Sequence, residues 1–240
     1  MSGKTYTSAS KRLEALPEIF TGSDLTMLCG WSSQIASTYL ANWRKVGLVR
    51  SLGGRSDVHM NLVRNRHVNA EAALRRVFPL ATKVGADILR EAGWTTQIPS
   101  LPEVAVPQPG PIYAVAGFAL TGRPNKWFAK VAPGVQHVDD GLMRLKPAWA
   151  LVDMVARALD RRVCHAWLLA PDDLDLGEAR GDEALPAALA AFAVDEHYLT
   201  DAGYAQLYER IAVGGNAASV AASGAGDAKT SSQSELDFHY

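Results

Sequence analysis

The chain has 240 residues, 48% of them hydrophobic and 20% charged, with two cysteines and a formal net charge of −1. These values exclude wholesale disorder, collagen-like or coiled-coil architecture, a disulfide scaffold and a cysteine-rich zinc module. No window approaches the roughly 20 uninterrupted apolar residues of a membrane helix. Residues 1–16 carry no hydrophobic block with a cleavage site, so the expected location is cytoplasmic, with no membrane partner.

Residues 5–16 read as a short helix capped by Ser8 or Ser10, with Leu13 and Leu16 inward and Pro17 as its stop. Ser23 is the expected N-cap of a second, two-turn helix, with Asp24 at its positive end and Gly30 as its stop. Trp31 and Ser32 form a turn, and a longer helix runs from Ser33 to Val46, ending at Gly47. At about 100° per residue, Ile35, Tyr39, Trp43 and Val46 share an apolar face, with Ala36 and Leu40 at its edge. Gln34, Ser37, Ala41 and Lys45 fall opposite, flanked by Ser33, Thr38 and Arg44.

After Gly47 the period changes to two. Residues 48–52 read as a strand and 53–56 as a glycine turn. Residues 57–63 alternate, with Val58, Met60 and Leu62 on one side and His59 and Asn61 on the other. This order predicts a winged helix-turn-helix over residues 1–66.

Residues 65–69 form a polar bridge to a second region, 67–213. Helices are expected at 70–78, 81–91, 184–192 and 201–213, and strands at 103–106 and 112–120. Lys146-Pro147 opens a further helix with apolar residues at Leu151, Met154, Val155, Ala158 and Leu159. Trp94, Trp127, Phe128 and Trp149 are expected in the core. Residues 214–240, rich in Gly, Ala and Ser, read as a flexible tail.

The small net charge conceals an asymmetry. Residues 1–66 carry nine Lys/Arg against four Asp/Glu, and residues 167–240 carry three against thirteen. A basic first quarter carrying a helix-turn-helix points to double-stranded DNA. Ser33, Gln34, Ser37 and Thr38 lie near the start of the long helix, where short polar side chains read base edges. Arg44, Lys45, Arg50 and Arg55 are the expected phosphate or minor-groove contacts. The acidic run from Asp172 to Glu178 reads as a solvated loop or a docking surface for a basic protein.

The main alternative is a nuclease or other DNA-processing enzyme delivered by its winged helix, and a third is a winged helix that contacts protein. His137, Asp139 and Asp140 cluster in sequence, as do Cys164 and His165, and Asp87 and Glu103 are imaginable in a restriction-type site. Yet Asp139-Asp140-Gly141 is also a turn signature, no lysine follows Glu103 closely, and Cys164 and His165 lack a second ligand pair. Phosphate-loop, dinucleotide and nucleophile-elbow motifs are missing. No catalytic residue, metal or cofactor is therefore expected.

The pattern Phe20-Thr21…Leu25…Gly30-Trp31-Ser32…Ile35…Leu40…Trp43…Gly47-Leu48-Val49 resembles the winged-helix domain of AbiEi-type antitoxins of type IV toxin–antitoxin systems. Gly93-Trp94-Thr95-Thr96-Gln97-Ile98-Pro99, residues 103–106, Arg123-Pro124…Trp127-Phe128 and residues 147–153 resemble segments of that family's antitoxin domain. The resemblance covers about residues 10–195, and the order of the motifs carries it. It implies an α+β protein with a winged helix followed by a mixed α/β antitoxin-type domain. It also implies repression through inverted repeats at the protein's own promoter. The partner it implies is a nucleotidyltransferase-like toxin, counteracted without a stable complex.

Overall fold

The first third of the chain builds α1 (Ala9–Glu14), β1 (Ile19–Thr21), α2 (Gly22–Cys29), α3 (Ser33–Lys45), β2 (Val49–Ser51) and β3 (Val58–Asn61). The computed structural model describes residues 8–53, 55–107, 114–159 and 173–193, together with residue 209. Ser8 caps α1, and Leu13 and Leu16 are buried. The cap of α2 is Thr21 rather than Ser23. The Thr21 hydroxyl accepts from the Asp24 N–H at 3.2 Å, and the Asp24 carboxylate accepts from the Thr21 N–H at 2.7 Å. This reciprocal pair satisfies two donors that the first turn would otherwise leave open, which Ser23, already the second helical residue, does not do. Gly30 ends α2 at φ +65°, a left-handed conformation that costs glycine little. Ser32 caps α3, its hydroxyl facing the Ile35 N–H at 3.4 Å.

Strand β1 has no counterpart in the sequence reading. It pairs antiparallel with β3, Phe20 opposite His59, and gives a three-stranded sheet of order β1-β3-β2. Asn61 ties this sheet to the end of α1: its buried side-chain amide donates to the Leu13 carbonyl at 2.6 Å.

The rest of the described chain runs α4 (Ala70–Val77), β4 (Thr82–Val84), α5 (Ala86–Glu91), β5 (Glu103–Pro107), β6 (Ala119–Arg123), α6 (Asn125–Val131), β7 (Val135–Gln136), β8 (Met143–Leu145), α7 (Pro147–Leu159), α8 (Leu176–Gly181) and α9 (Leu185–Ala193). The protein is therefore of the mixed α+β class. The expected helix 81–91 is half wrong. Its first part is β4, paired antiparallel with β5 and parallel with β8. Gly85, at φ +76° and ψ −157°, separates strand from helix, and β-branched Thr82 and Val84 suit the strand. The expected strand 112–120 begins only at Ala119; residues 115–118 turn through Gly117 at φ +90°. Residues 112 and 113, the expected helix 201–213 apart from residue 209, and the tail 214–240 lie outside the described residues.

The second sheet has the order β6-β5-β4-β8-β7. Successive side chains of a strand point to opposite faces, and both faces here are covered. Val84, Ala105 and Leu145 join an apolar cluster with residues of α5, α6, α7 and α9. Val104 and Val106 face the other way, into a cluster with Ala73 and Leu74 of α4 and with Leu52, Val58 and Met60 of the hairpin. A third cluster holds Leu13, Leu16, Phe20, Leu25, Ala36, Leu40, Trp43 and Val49. The hairpin thus belongs to two cores at once, and buried apolar contacts run across residue 66. Arg76 of α4 also pairs with Asp24 of α2 at 3.1 Å.

Trp94, Trp127 and Trp149 are buried and Phe128 packs against their cluster, as expected. Trp127 is fully enclosed, and its indole Nε1–H donates to Asp153 Oδ1 at 2.7 Å. Arg123 donates to the other Asp153 oxygen at 2.7 Å and stacks 5.0 Å from the Trp127 ring centroid. The motifs around Arg123, Trp127 and Asp153 therefore meet in one buried polar network.

Candidate nucleic-acid interface

Helix α3 sets the geometry of the candidate site. Its buried residues are Ala36, Leu40 and Trp43, while Ile35 is 46% and Val46 66% exposed. The inward face is rotated by roughly 70° from the one expected, counting about 100° per residue. The reason is local packing. Trp31 stacks on Tyr39 with centroids 4.3 Å apart, and the Arg12 guanidinium covers Trp31 at 5.0 Å. These rings form a half-buried rim beside the core, and the small Ala36 packs in the cluster with Leu25 and Phe20.

All eight predicted interface residues are exposed: Ser33, Gln34, Ser37, Thr38, Arg44, Lys45, Arg50 and Arg55. Gln34, Thr38 and Lys45 lie along the outermost stripe of α3, opposite the buried face. The Thr38 hydroxyl donates to the Gln34 carbonyl at 2.9 Å and keeps its lone pairs for a partner. Ser33, Ser37 and Arg44 lie on the flank toward the hairpin. They line an open cleft of about 350 Å³ with Ser23, Ser51, Ser56, Asp57 and His59. Arg55 sits at the hairpin tip with φ +58°.

Arg50 is not brought to this group. In β2, Val49 and Ser51 face α3, whereas Arg50 reaches the Met60 sulfur at 3.6 Å on the opposite face of the sheet. Ile35, beside Gln34, is exposed as well. The amphipathic reading placed it inside, and no sequence signal corrected that.

The cleft floor is unusual in its electrostatics. His59 is 5% exposed and lies 5.6 Å from the Phe20 ring. Its Nε2 is 3.6 Å from Asp57, whose other oxygen accepts the Gly22 N–H at 2.9 Å. Burial holds the imidazole pKa below the ordinary value of 6.5; Asp57 pulls it up and Arg44 pushes it down. Above pH 6.5 the folded and unfolded chains both hold this ring neutral. Below it the unfolded chain takes up a proton that the fold resists, so stability falls as pH drops. We expect a slope of at most about 1.4 kcal/mol per pH unit from this group. His59→Gln should flatten it in urea unfolding series between pH 7 and 5; an unchanged slope would assign it elsewhere.

The residues considered for metal or nuclease chemistry divide differently. Asp87 and Glu103 do line one groove, with Thr121 and Arg157, but no lysine lines it. Glu103 is occupied by Arg157 and by the Thr121 hydroxyl, and Asp87 by Arg90 at 3.0 Å. His137, Asp139 and Asp140 are exposed in the loop after β7. Cys164, His165 and Asp172 lie outside the described residues. Within the acidic run, Asp173 accepts from Gln97 at 2.6 Å, and Asp175 caps α8 through the Gly177 and Glu178 N–H groups. That segment opens a helix rather than a plain loop. Among the described residues no three His, Cys, Asp or Glu side chains gather to hold a metal, and no helix is long and apolar enough to cross a membrane. The chain matches no protein-family model and no curated protein.

Proposed function

We propose that the chain is a non-catalytic, sequence-specific binder of double-stranded DNA whose first third works as a winged helix-turn-helix. One observation carries this reading. Helix α3 presents Ser33, Gln34, Ser37 and Thr38 in its first half and Arg44 and Lys45 in its last turn, all exposed. Short polar groups at a helix start read base edges, and cations at its end and at a hairpin tip meet backbone. The helix–strand–helix–helix–strand–strand order, with α3 followed by an antiparallel hairpin, supports that assignment. In this reading α3 enters the major groove and Arg55 follows the flanking backbone.

The biological role we infer is repression of the protein's own promoter through inverted repeats, and neutralisation of a nucleotidyltransferase-like toxin by residues beyond 66. The ordered series of residues resembling AbiEi-type antitoxins supports this role. Gln34→Ala in the intact chain should weaken the cognate duplex by roughly 1–3 kcal/mol and leave a random duplex nearly unchanged. Fluorescence anisotropy on both duplexes checks it, and equal losses would reduce Gln34 to a backbone contact. The intact chain is the right material because Leu52, Val58 and Met60 are buried against residues beyond 66.

A further inference from the structure

We propose that the cleft between α3 and the β2–β3 hairpin is a phosphate-binding site built from Arg44, Ser37, Ser51 and His59. Three observations converge on it. First, the cleft holds about 350 Å³ and is walled by hydroxyls from three elements: Ser23 of α2, Ser33 and Ser37 of α3, and Ser51 and Ser56 of the hairpin. Ser56 already donates to the Gly53 carbonyl at 2.8 Å, and the other serine hydroxyls can donate to an oxyanion without the desolvation cost of a buried charge. Second, Arg44 opens onto the cleft and makes no ion pair among the described residues. A guanidinium fork matches phosphate oxygens bidentately.

Third, the floor is His59, nine-tenths buried, and its Nδ1 has no hydrogen-bond partner among the described residues. With its Nε2 turned to Asp57 the neutral ring offers Nδ1 only as an acceptor; a proton taken up from water when the anion binds lets Nδ1 donate to a ligand oxygen, which offsets the cost of leaving it unpaired. The one carboxylate in the lining, Asp57, accepts the Gly22 N–H at 2.9 Å and lies 3.6 Å from the His59 Nε2. Repulsion from that carboxylate and attraction to the guanidinium draw the phosphate toward Arg44.

The shared chemistry has two sources, a DNA backbone phosphate or a free phosphorylated small molecule. The site rests on the DNA-binding reading only if the duplex is the source. The test is a titration of the full chain with inorganic phosphate at constant ionic strength, following the His59 ring resonances by NMR. We expect a saturable shift, weakened at least tenfold in Arg44→Ala and abolished in Ser37→Glu, with the remote exposed Arg66→Ala unchanged. Arg44 and Ser37 are both exposed, so these variants keep the fold. A random-sequence duplex that displaces the bound phosphate identifies the backbone as the source. A duplex that binds alongside it identifies a free phosphorylated ligand. A shift that does not saturate, or one that is the same in Arg44→Ala, overturns the site while leaving DNA binding itself to be judged on the duplex alone.

Discussion

Asp153→Ala should destabilise the protein by about 3–5 kcal/mol, because it removes the carboxylate from a buried guanidinium and leaves a buried indole N–H without its acceptor. Asp153 is 2% exposed and Arg123 5%, so water cannot replace the lost oxygen atoms without opening the core. The network links β6, α6 and α7 through contacts 26 and 30 residues apart in sequence. Its loss should therefore lower the midpoint of the whole cooperative transition rather than fray one end. A domain stable by only about 5–15 kcal/mol will feel this strongly. Asp153→Asn keeps an acceptor for Trp127 but not the charge for Arg123, and should fall between. Equilibrium urea unfolding measures all three proteins. A loss under about 1 kcal/mol for the alanine variant would mean that Arg123 is satisfied by other means.

The second large effect is on DNA. Replacing Arg44, Lys45 and Arg55 together by Ala should lower the slope of log affinity against log salt by about three units, since each neutralised phosphate releases roughly 0.9 of a counterion. Between 50 and 200 mM salt the intact interface then loses roughly 40-fold more affinity than the triple variant does, by the same arithmetic. Arg50→Ala should change the slope least of the four cations, because Arg50 lies on the sheet face away from α3 and against Met60. Four equal losses would show that the hairpin rotates on binding or that the wrong face has been assigned.

The parts of this architecture that sequence makes plain are those governed by neighbours in the chain. Helices α2 and α3 are legible because Gly30 and Gly47, both at positive φ, punctuate an apolar pattern of helical period. The hairpin is legible from its glycine turn and alternation. What depends on distant partners is not. β1 is three residues long and has no alternation to display; it is a strand because β3 lies beside it. β4 hides inside the stretch 81–91 that reads as helix, and only its pairing with β5 and β8 reveals it.

The candidate site shows the same division. That all eight residues would be exposed follows from their polarity. That Arg50 faces away from Arg44 follows from strand register, and that Ile35 faces out follows from a Trp31–Tyr39–Arg12 stack that no periodicity encodes. Arg123, Trp127 and Asp153 stand out as residue patterns, but their joint burial is a tertiary fact. His59 reads as the polar side of an alternating strand, and its burial beside Phe20 of β1 is a tertiary fact.

The most direct test of the central claim is a paired binding titration. The intact chain is titrated against the duplex upstream of its own gene and against a composition-matched scrambled duplex, each at several salt concentrations. The account predicts at least about a thousandfold preference for the upstream duplex at physiological salt. It also predicts a steep fall in affinity with salt for both duplexes. Equal affinities for the two sequences, or no salt-dependent binding to either, would contradict it.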